Sequence, residues 1–549
     1  MVMNKTFSAI LPQQAYDAKQ VQANEAQIAD KHNIAMFELM NMAGQAVFDL
    51  YQHHYPSTHA LLVLCGKGNN GGDGFITAQL AIAQGINVTV IMLCHSDDLK
   101  GDALKAYQQL CASPYASEKL ELVALVSDKA ATNVSEQVAK VLAHTIDQLT
   151  ARSENESALG GNIVIIDALL GTGFYGSLTE PYFLLCDAVN QQVTNCRTPI
   201  KVISIDVPSG VNATTGEVAL HAIRAHHTIS FIALKKGLIT GNATSHTGEL
   251  VYADLTIGES FHTAISPTAH RLTFDNIPQL NARTINSHKG TIGQLLLIGG
   301  NKRFPGAIKM SAEAALRSGA ALVSVCCHKD NRTILLNNRP EIMLAPDNAE
   351  VLFSTYDNSK TKALIIGPGL GQGRWAQALF NGAINFIQQR KLPAVIDADA
   401  LTLLAKSPSL YQHWVLTPHP GEAAKLLNCS IEEVEKNRFA AVQAIQQKYG
   451  GICLLKGAGT LITNGESLSI NTTGNPGMAS GGMGDVLSGI IGALLLQSNT
   501  QLQATQLAAF IHGLAADKIA QQQGMIGMLA SDIIERLPAL LNQYAFNKS

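Results

Sequence analysis

The chain has 549 residues, of which 46% are hydrophobic and 15% charged, so it can bury more than one folded core. Its 39 lysine and arginine residues against 42 aspartate and glutamate residues give a net charge of −3, which provides no general attraction to nucleic acid or anionic membranes. The longest apolar stretch, residues 486–497, is shorter than the roughly 18 residues that a transmembrane helix needs.

The N-terminus does not have the pattern of a signal peptide, because residues 1–14 contain one lysine and no long apolar segment. The nine cysteines are scattered and include no Cys-x-x-Cys pair. We therefore expect a cytoplasmic protein without a disulfide framework, in which the cysteines act as small buried apolar residues.

Strand-like apolar runs alternate with helical stretches in both halves of the chain. In the first half they cover residues 60–65, 88–93, 163–166 and 202–205. In the second half they cover residues 294–298, 321–325, 363–366, 394–396 and 452–455. This alternation predicts α/β domains, each with a parallel sheet and helices on both faces. Residues 258–287 have weaker periodicity and are predicted to connect the halves, and residues 152–161 are predicted to be a polar surface insertion.

A glycine-rich run, Gly-Lys-Gly-Asn-Asn-Gly-Gly-Asp-Gly, occupies residues 66–74 between the first predicted strand and a helix predicted over residues 75–84. At the carboxyl end of a parallel strand, such a turn lets backbone amides and a helix N-terminus contact phosphate. The run matches neither the G-x-G-x-x-G nor the P-loop pattern. It predicts a phosphate site, with a simple tight turn as the alternative.

Two later strands of the first half end in carboxylates. Asp167 precedes a Gly-Thr-Gly turn, and Asp206 begins the segment Asp-Val-Pro-Ser-Gly that contains Ser209. Because parallel strands end at one edge of a sheet, these side chains and Asn70 are expected along one rim. Their oxygens suit an alkali or alkaline-earth cation better than zinc. Helix capping is the alternative for each aspartate.

Together with Glu-Leu-Met-Asn-Met-Ala-Gly at residues 38–44, these motifs resemble the NAD(P)H-hydrate epimerase family over roughly residues 1–255. The resemblance implies a Rossmann-like three-layer α/β/α sandwich that interconverts the R and S forms of NAD(P)H hydrated at nicotinamide C6. It implies a potassium ion held by Asn70, Asp167 and Ser209. The residues implied to bind the hydrated dinucleotide are Asn69, Asn70, Gly71, Gly72, Asp73, Gly171, Thr172, Gly173, Phe174, Tyr175, Gly176, Ser177 and Asp206.

Inversion at a hydroxyl-bearing carbon beside a ring nitrogen has two feasible routes. Either the hydroxyl leaves and returns to the other face, or the ring opens at that carbon. Both routes need a positioned acid/base group, and we assign this role to Asp167 as a hypothesis.

A second glycine-rich run, Asn-Pro-Gly-Met-Ala-Ser-Gly-Gly-Met-Gly-Asp, occupies residues 475–485 before an apolar helix predicted from residue 486. Glycine amides at a helix start can stabilise a developing phosphoryl charge, and Asp485 in the first turn can accept a proton from an attacking hydroxyl. Lys456 opens a further glycine loop after the strand at residues 452–455. The arrangement resembles ribokinase-like phosphotransferases, with a purely structural role for the glycines as the alternative.

Further motifs at residues 288–293, 299–307, 367–371, 397–401 and 417–423 extend this to a resemblance with the NAD(P)H-hydrate dehydratase family over about residues 275–545. The residues implied to bind adenine nucleotide are Lys456, Gly457, Ala458, Gly459, Thr460, Asn475, Pro476, Gly477, Met478, Ala479, Ser480, Gly481, Gly482, Met483 and Gly484. Those implied to bind the S-hydrate are Ala307, Gly369, His419, Pro420, Gly421, Glu422, Ala423, Ala424, Lys425 and Asp485.

The dehydration has a clear chemical logic, because hydroxide is a poor leaving group and phosphate a good one. Asp485 is predicted to deprotonate the C6 hydroxyl, which takes up a phosphoryl group that is then eliminated. Glu422 and Asp397 are candidates for placing Mg²⁺, with ordinary helix capping as the alternative. The single-chain fusion favours ADP as co-substrate, and ATP remains open.

We therefore predict a bifunctional metabolite repair enzyme with an epimerase domain at residues 1–257, a linker at 258–280 and a dehydratase domain at 281–549. Its expected partners are small molecules, not nucleic acid or membranes, and the resemblance implies a homo-oligomer. One alternative is a ribokinase-like kinase for a small molecule with an accessory first domain. The other is a non-enzymatic interaction module in the first half.

Overall fold

The computed structural model describes residues 6–58, 60–125, 134–156, 163–281 and 283–544. The chain divides into two compact units, Met1–Ala269 and His270–Ser549. The predicted linker, residues 258–280, contains a short helix and a strand, and the boundaries at 257 and 281 stay a prediction. Of the predicted insertion, residues 157–161 lie outside the described residues, and residues 152–156 end a helix.

The first unit contains alternating strands and helices. Its helices are α1 (Ala18–Lys31), α2 (Met36–His54), α3 (Asn69–Ala83), α4 (Gly101–Cys111), α5 (Ala116–Lys119), α6 (Val134–Glu156), α7 (Tyr182–Asn195), α8 (Thr244–Thr247) and α9 (Gly258–Ala264). Its strands are β1 (Gln14–Tyr16), β2 (Ala60–Cys65), β3 (Asn87–Met92), β4 (Leu120–Ala124), β5 (Ile163–Ala168), β6 (Ile200–Ile205), β7 (His227–Phe231), β8 (Leu234–Lys235) and β9 (Glu249–Ala253).

A parallel sheet in the order β4-β3-β2-β5-β6-β7-β9 forms the middle layer of this unit, and β1 pairs with β8 beside it. Alternate residues of β2 enter different cores. Leu61 and Val63 pack with α1, α2, α3 and α4 on one face, whereas Leu62 and Leu64 pack with α6 and α7 on the other. Burial on both faces explains the continuous apolar run of this strand. The predicted three-layer α/β/α sandwich is confirmed.

The second unit has a larger sheet. Its strands are β10 (Ala269–Arg271), β11 (Gln294–Ile298), β12 (Leu322–Cys326), β13 (Ile342–Leu344), β14 (Thr361–Ile366), β15 (Ala394–Ile396), β16 (Trp414–Leu416), β17 (Ile452–Leu455), β18 (Thr460–Thr463) and β19 (Leu468–Asn471). Its helices are α10 (Lys289–Ile292), α11 (Pro305–Arg317), α12 (Arg332–Leu336), α13 (Ala349–Ser354), α14 (Arg374–Arg390), α15 (Ala398–Lys406), α16 (Pro420–Leu427), α17 (Ile431–Lys436), α18 (Arg438–Tyr449), α19 (Met483–Leu495), α20 (Gln501–Gln523) and α21 (Ala530–Tyr544).

The strands of this unit follow the order β13-β12-β11-β14-β15-β16-β17-β18-β19-β10. They are parallel from β13 to β17, and β17, β18 and β19 then form an antiparallel meander. Helices α11, α19, α20 and α21 share one apolar core with the sheet. Helix α19 approaches α11 so closely that a Cβ atom on Gly489 would lie 2.2 Å from the Ser311 carbonyl oxygen. The predicted α/β architecture of the second half is confirmed.

Two predicted helices begin earlier than expected. Helix α3 begins at Asn69, inside the glycine-rich run, and α19 begins at Met483. Because glycine has a low helix propensity, the glycine-rich runs did not predict the first turns of these two helices. All nine cysteines are free, and six of them are buried. Within the described parts of the chain, no helix is both long enough and apolar enough to span a membrane.

Candidate active sites

A cleft of about 890 Å³ opens in the first unit, where β2, β5 and β6 end. Most of the residues predicted to bind the dinucleotide line it. These are Asn69, Asn70, Asp73, Gly171, Thr172, Gly173, Phe174, Tyr175, Ser177 and Asp206. Three predicted glycines, Gly71, Gly72 and Gly176, are not among the described residues of its lining. Residues of α1 and α2 complete the wall.

The glycine-rich run combines a helix start with close packing. Because α3 begins at Asn69, its N-terminus and the positive end of its dipole lie at the cleft. A Cβ atom on Gly71 would lie 2.0 Å from the Gly66 carbonyl oxygen, and one on Gly74 would lie 2.7 Å from the Ala168 side chain. The glycines therefore allow a compact turn that also presents backbone amides to the cleft.

The three predicted potassium ligands meet around Leu170. Ser209 Oγ donates to Asp167 Oδ1 (2.6 Å), the Leu170 amide donates to Ser209 Oγ (2.9 Å), and Asn70 Nδ2 donates to the Leu170 carbonyl (3.2 Å). Amide, hydroxyl, carboxylate and carbonyl oxygens form a donor set that fits a hard cation. The chemistry of these residues therefore fits potassium.

Asp167 is fully buried and is not among the described residues that line the cleft. Its carboxylate accepts hydrogen bonds from Ser204 Oγ (2.8 Å) and the Ser209 amide (2.9 Å), besides the Ser209 hydroxyl. Burial raises the pKa of Asp167, and these hydrogen bonds oppose the increase. The carboxylate lies at the end of β5 and not at a helix N-cap, so it joins two loops behind the cleft wall.

Lys235 is a cleft residue that the sequence analysis missed. Its ammonium donates to Asp206 Oδ1 (2.5 Å) and to the Phe231 carbonyl (2.8 Å), and its side chain is 1% exposed. Asp206 also accepts from the Phe231 amide (3.1 Å) and has a positive φ of 60°. The sequence did contain a signal, because Lys235 directly follows a mainly apolar run at residues 229–234 and could therefore be buried. Since lysines are almost never fully buried without a partner, a buried Lys235 would need a nearby acidic group.

Glu25, on α1, also lines the cleft and was missed. Burial raises its pKa to about 7, with Lys235 opposing the increase and Asp206 adding to it. Burial likewise raises the pKa of Asp73, and Asp206 and Glu25 add to it. The lining of the cleft thus includes four carboxyl groups, Glu25, Asp73, Asp102 and Asp206, and two lysines, Lys67 and Lys235. Of these groups, Glu25 has a pKa suited to proton exchange near neutral pH.

A second polar cluster lies in the second unit, around Lys456. The ammonium of Lys456 donates to Asp397 Oδ1 (3.1 Å) and lies 3.7 Å from Glu422 Oε2. Asp397 also accepts from Thr417 Oγ1 (2.8 Å) and Ser488 Oγ (2.6 Å). Asp397 precedes α15, but its side chain makes no cap hydrogen bond, so the capping alternative is wrong for this residue.

Asp485 lies in the first turn of α19, as predicted. Burial raises its pKa to about 7, Asp397 adds to the increase and Lys456 opposes it. Burial alone would lower the pKa of Lys456, but the carboxylates of Asp397 and Glu422 outweigh it and raise the pKa. At neutral pH the site therefore combines a charged lysine with a carboxyl group able to accept a proton.

Side chains of neighbouring helices form hydrogen bonds that hold the two predicted nucleotide loops in place. Residues 456–460 join β17 to β18, and the buried Arg438 donates to the Lys456 carbonyl (3.0 Å) and to Glu435 (2.8 Å). Residues 475–484 lead into α19, and Asp517 accepts from Asn475 Nδ2 (3.0 Å). These contacts hold the two loops in a fixed position.

Besides Asp485, the predicted substrate residues of the second unit lie on three segments. Ala307 lies in the first turn of α11, and a Cβ atom on Gly369 would lie 3.2 Å from its side chain. His419 caps α16 in a capping box with Glu422, whose Oε2 accepts from the His419 amide (2.8 Å). Glu422 therefore both caps a helix and faces Lys456. Residues 420–425 are helical, and the side chains of Ala423 and Ala424 are buried.

His512, on α20, was missed by the sequence analysis. It is buried, and its Nε2 atom makes no hydrogen bond within the described part of the chain. Burial lowers its pKa to about 4, and the nearby Lys456 adds to this effect. A histidine in the middle of a helix carries no periodic signal, so only the tertiary structure brings it to Lys456.

Comparisons with known proteins match both halves. The family described as NAD(P)H-hydrate dehydratase matches residues 295–539, and the family described as YjeF-related protein N-terminus matches residues 36–237. The bifunctional NAD(P)H-hydrate repair enzyme Nnr of Coxiella burnetii is 38% identical over 96% of this chain and 99% of its own length. The Vibrio cholerae enzyme of the same name is 40% identical over 97% of this chain and 99% of its own length.

A solved structure described as the ADP/ATP-dependent NAD(P)H-hydrate dehydratase of Bacillus subtilis, co-crystallised with ATP and Mg²⁺, is also similar to part of the chain. It is 26% identical, covers 49% of this chain and 99% of that chain, and has a TM-score of 0.45.

Proposed function

The chain belongs to the family of bifunctional NAD(P)H-hydrate repair enzymes, and from this premise we propose how its residues divide the two reactions. The enzyme epimerises hydrated NAD(P)H and dehydrates it to NAD(P)H. We assign epimerisation to the cleft of the first unit and dehydration to the cluster around Lys456. The observation that carries this assignment is the placement of one further carboxyl group near a lysine–aspartate pair in each site. Glu25 lines the cleft that contains the Asp206–Lys235 pair, and Asp485 lies in the first turn of α19 near the Asp397–Lys456 pair.

For the epimerase, we propose Glu25 as the acid/base group. In the route through hydroxyl loss, the Glu25 carboxyl gives its proton to the C6 hydroxyl, which leaves as water while the ring nitrogen supplies electrons. Water then adds to the other face and returns a proton to Glu25. The fixed Asp206–Lys235 pair is proposed to orient the ring, and the α3 N-terminus and residues 171–177 to hold the rest of the dinucleotide.

Asn70, Asp167 and Ser209 are proposed to hold potassium, which would supply positive charge beside the cleft. This role is supported by their shared oxygen chemistry and by the burial of Asp167 behind the wall. The hypothesis that Asp167 itself transfers the proton is the competing assignment, and the experiment below separates the two.

For the dehydratase, we propose that Asp485 accepts the proton of the C6 hydroxyl as the hydroxyl oxygen attacks the terminal phosphoryl group of ADP, and AMP leaves. Transfer of a proton from C5 to water then expels phosphate from C6 and restores the double bond between C5 and C6. Lys456 and the backbone amides of residues 481–484, where α19 begins, are proposed to stabilise the phosphoryl charge. Mg²⁺, when bound, would neutralise nucleotide charge, and Asp397 and Glu422 offer carboxylates of the type it prefers. We propose ADP as the donor.

The test is recovery of NADH absorbance from a mixture of R and S hydrates, with Mg²⁺, K⁺ and either ADP or ATP. Wild type is expected to recover both epimers, Asp485→Ala neither, and Glu25→Gln rapidly only the S part. If Glu25→Gln recovers both epimers like wild type while Asp167→Ala rapidly recovers only the S part at every K⁺ concentration, Asp167 is the acid/base group. No recovery with either nucleotide would overturn the assignment.

We further propose that the chain acts in the cytoplasm and self-associates, as the family resemblance implies. Light scattering after size-exclusion chromatography measures the mass, and a single-chain mass near 58.4 kDa would contradict self-association.

A further inference from the structure

Three potential metal ligands lie at the end of the first sheet that is remote from the cleft. His227 begins β7, Glu249 begins β9, and His54 ends α2. The other end of β7 is Phe231, which lines the cleft. Since these two residues are four positions apart in a strand, they are separated by roughly 13 Å. The cluster is therefore separate from both the cleft and the proposed potassium site.

The three side chains converge closely enough to share one ion. Each offers a ligand atom, and these atoms all lie within 4.8 Å of one another. His227 Nδ1 is 3.3 Å from Glu249 Oε2. Ligand atoms about 2.0 to 2.1 Å from a tetrahedral ion are separated by about 3.3 Å. The histidine and glutamate thus already have the required spacing, and the ligand atom of His54 lies within 4.8 Å of both, so a small shift or a change of rotamer brings it into the coordination sphere.

The environment of His227 provides an independent indication of a ligand. Its side chain is 10% exposed, and its Nε2 atom is hydrogen-bonded to the Tyr55 hydroxyl (2.8 Å). Its Nδ1 atom is buried and makes no hydrogen bond within the described ranges, although Glu249 is near. If Nε2–H donates to Tyr55, Nδ1 presents a lone pair to the cluster. Metal-bound histidines are commonly fixed in this way through their second nitrogen.

We propose that His54, His227 and Glu249 form a binding site for a divalent first-row transition metal ion, with Zn²⁺ as the ion of best chemical fit. Two imidazoles and one carboxylate suit Zn²⁺, whereas K⁺ and Mg²⁺ favour all-oxygen sites. Water would complete the coordination. The ion would fasten the end of α2 to two strands of the sheet. Helix α2 also carries Met36, Leu39 and Met40, which line the cleft. Metal binding would therefore restrict the motion of this wall of the cleft.

The test uses the full chain, stripped of metal with a chelator and titrated with Zn²⁺ alone in competition with a chromophoric chelator. We expect one tight site per chain and a rise in melting temperature on saturation, because binding to the folded state stabilises it. Co²⁺ is expected to give the intense visible absorption of a tetrahedral complex. His227→Gln and Glu249→Gln are expected to lose all three signals.

Two further variants sharpen the result. Tyr55→Phe keeps the ligands but removes the partner of Nε2, and it is expected to weaken Zn²⁺ binding about 10- to 100-fold. His221→Gln is the matched control, because His221 pairs with Asp187 (2.9 Å) outside the cluster, and it is expected to bind Zn²⁺ like wild type.

The proposal is overturned if wild type shows no tight site, or if Glu249→Gln binds Zn²⁺ as tightly as wild type. Glu249 is half-exposed and lies at a strand start, so its substitution tests the site even if His227→Gln does not fold. Epimerase activity of the metal-free variants reports on folding of the cleft.

Discussion

Glu25 and Asp485 are carboxyl groups placed near a lysine that already neutralises another carboxylate. In the first unit Lys235 is bonded to Asp206, and in the second Lys456 is bonded to Asp397. Because the lysine charge is shared in this way, burial still raises the pKa of each remaining carboxyl group to about 7. Sites in which the environment gives neighbouring ionisable groups different pKa values are typical of acid/base catalysis.

Replacing Asp485 with Asn should lower the dehydratase kcat about 10²- to 10⁴-fold, because an amide cannot accept the hydroxyl proton. The wild-type kcat/KM should rise with pH through about 7, since the ionised form is the base. Steady-state rates on S-NADH hydrate between pH 5.5 and 9 provide the measurement. Asp275→Asn, at an exposed position of the second unit, is the control. An unchanged kcat in Asp485→Asn would contradict the assignment.

Replacing Glu25 with Gln should slow epimerisation about 10²- to 10⁴-fold without affecting dehydration of the S form. The wild-type rate should fall as pH rises above about 7, because the protonated carboxyl is needed to expel the hydroxyl. Exchange between the R and S signals, followed by NMR, measures the rate. Glu118→Gln, on the exposed α5, should behave like wild type. A pH profile that is the same in Glu25→Gln and wild type would exclude this role.

At the scale of elements, α19 packs closely against α11 because residue 489 is a glycine and has no side chain. A Cβ atom on Gly489 would meet the Ser311 carbonyl at 2.2 Å, so Gly489→Ala forces two buried helices apart. We expect a loss of roughly 1–3 kcal/mol in the free energy of unfolding of the second unit. Chemical denaturation followed by fluorescence measures it. Gly306→Ala, on α11 with no atom within 4 Å of the new Cβ, should be nearly neutral or slightly stabilising.

The strands that sequence alone locates are those buried on both faces. Residues 60–65 and 294–298 are continuous apolar runs, and the structure has strands with the same bounds. Strand β7 was missed, because its sequence His-Thr-Ile-Ser-Phe places polar residues in a fully buried strand. Strand β16 was also missed, although β15 is equally short and was predicted at residues 394–396, so length alone does not decide which strands the sequence locates.

The presence or absence of a local sequence pattern also explains which residues of the cleft were predicted. Asp167 and Asp206 were located because parallel strands end at one edge, a rule that acts through nearby sequence. Glu25 lies on the polar face of α1, and it reaches the cleft through packing between residues distant along the chain. Lys235 lies in the two-residue strand β8, which is too short to show a periodic pattern in the sequence. Sequence therefore predicts the rim of the cleft better than its acid/base groups.

For the whole molecule, the two units have separate apolar cores, and each contains one of the two proposed catalytic clusters. The reactions are therefore expected to be separable. An equimolar mixture of Glu25→Gln and Asp485→Asn proteins should recover both epimers of NADH hydrate, because the free epimer passes through solution.

Absorbance recovery measures this complementation, and the double variant Glu25→Gln/Asp485→Asn is the control. A mixture that recovers only the S form would mean that epimerisation requires a working dehydratase site in the same chain.

Asp397 gives the dehydratase site a further property. One carboxylate receives hydrogen bonds from Thr417, Lys456 and Ser488, which belong to three segments far apart in sequence. Any opening that exposes one of these segments leaves the buried carboxylate short of a partner, which raises the free energy of partial opening. We expect these segments to exchange their amide hydrogens as a single cooperative unit, so that the site persists intact until that unit opens as a whole.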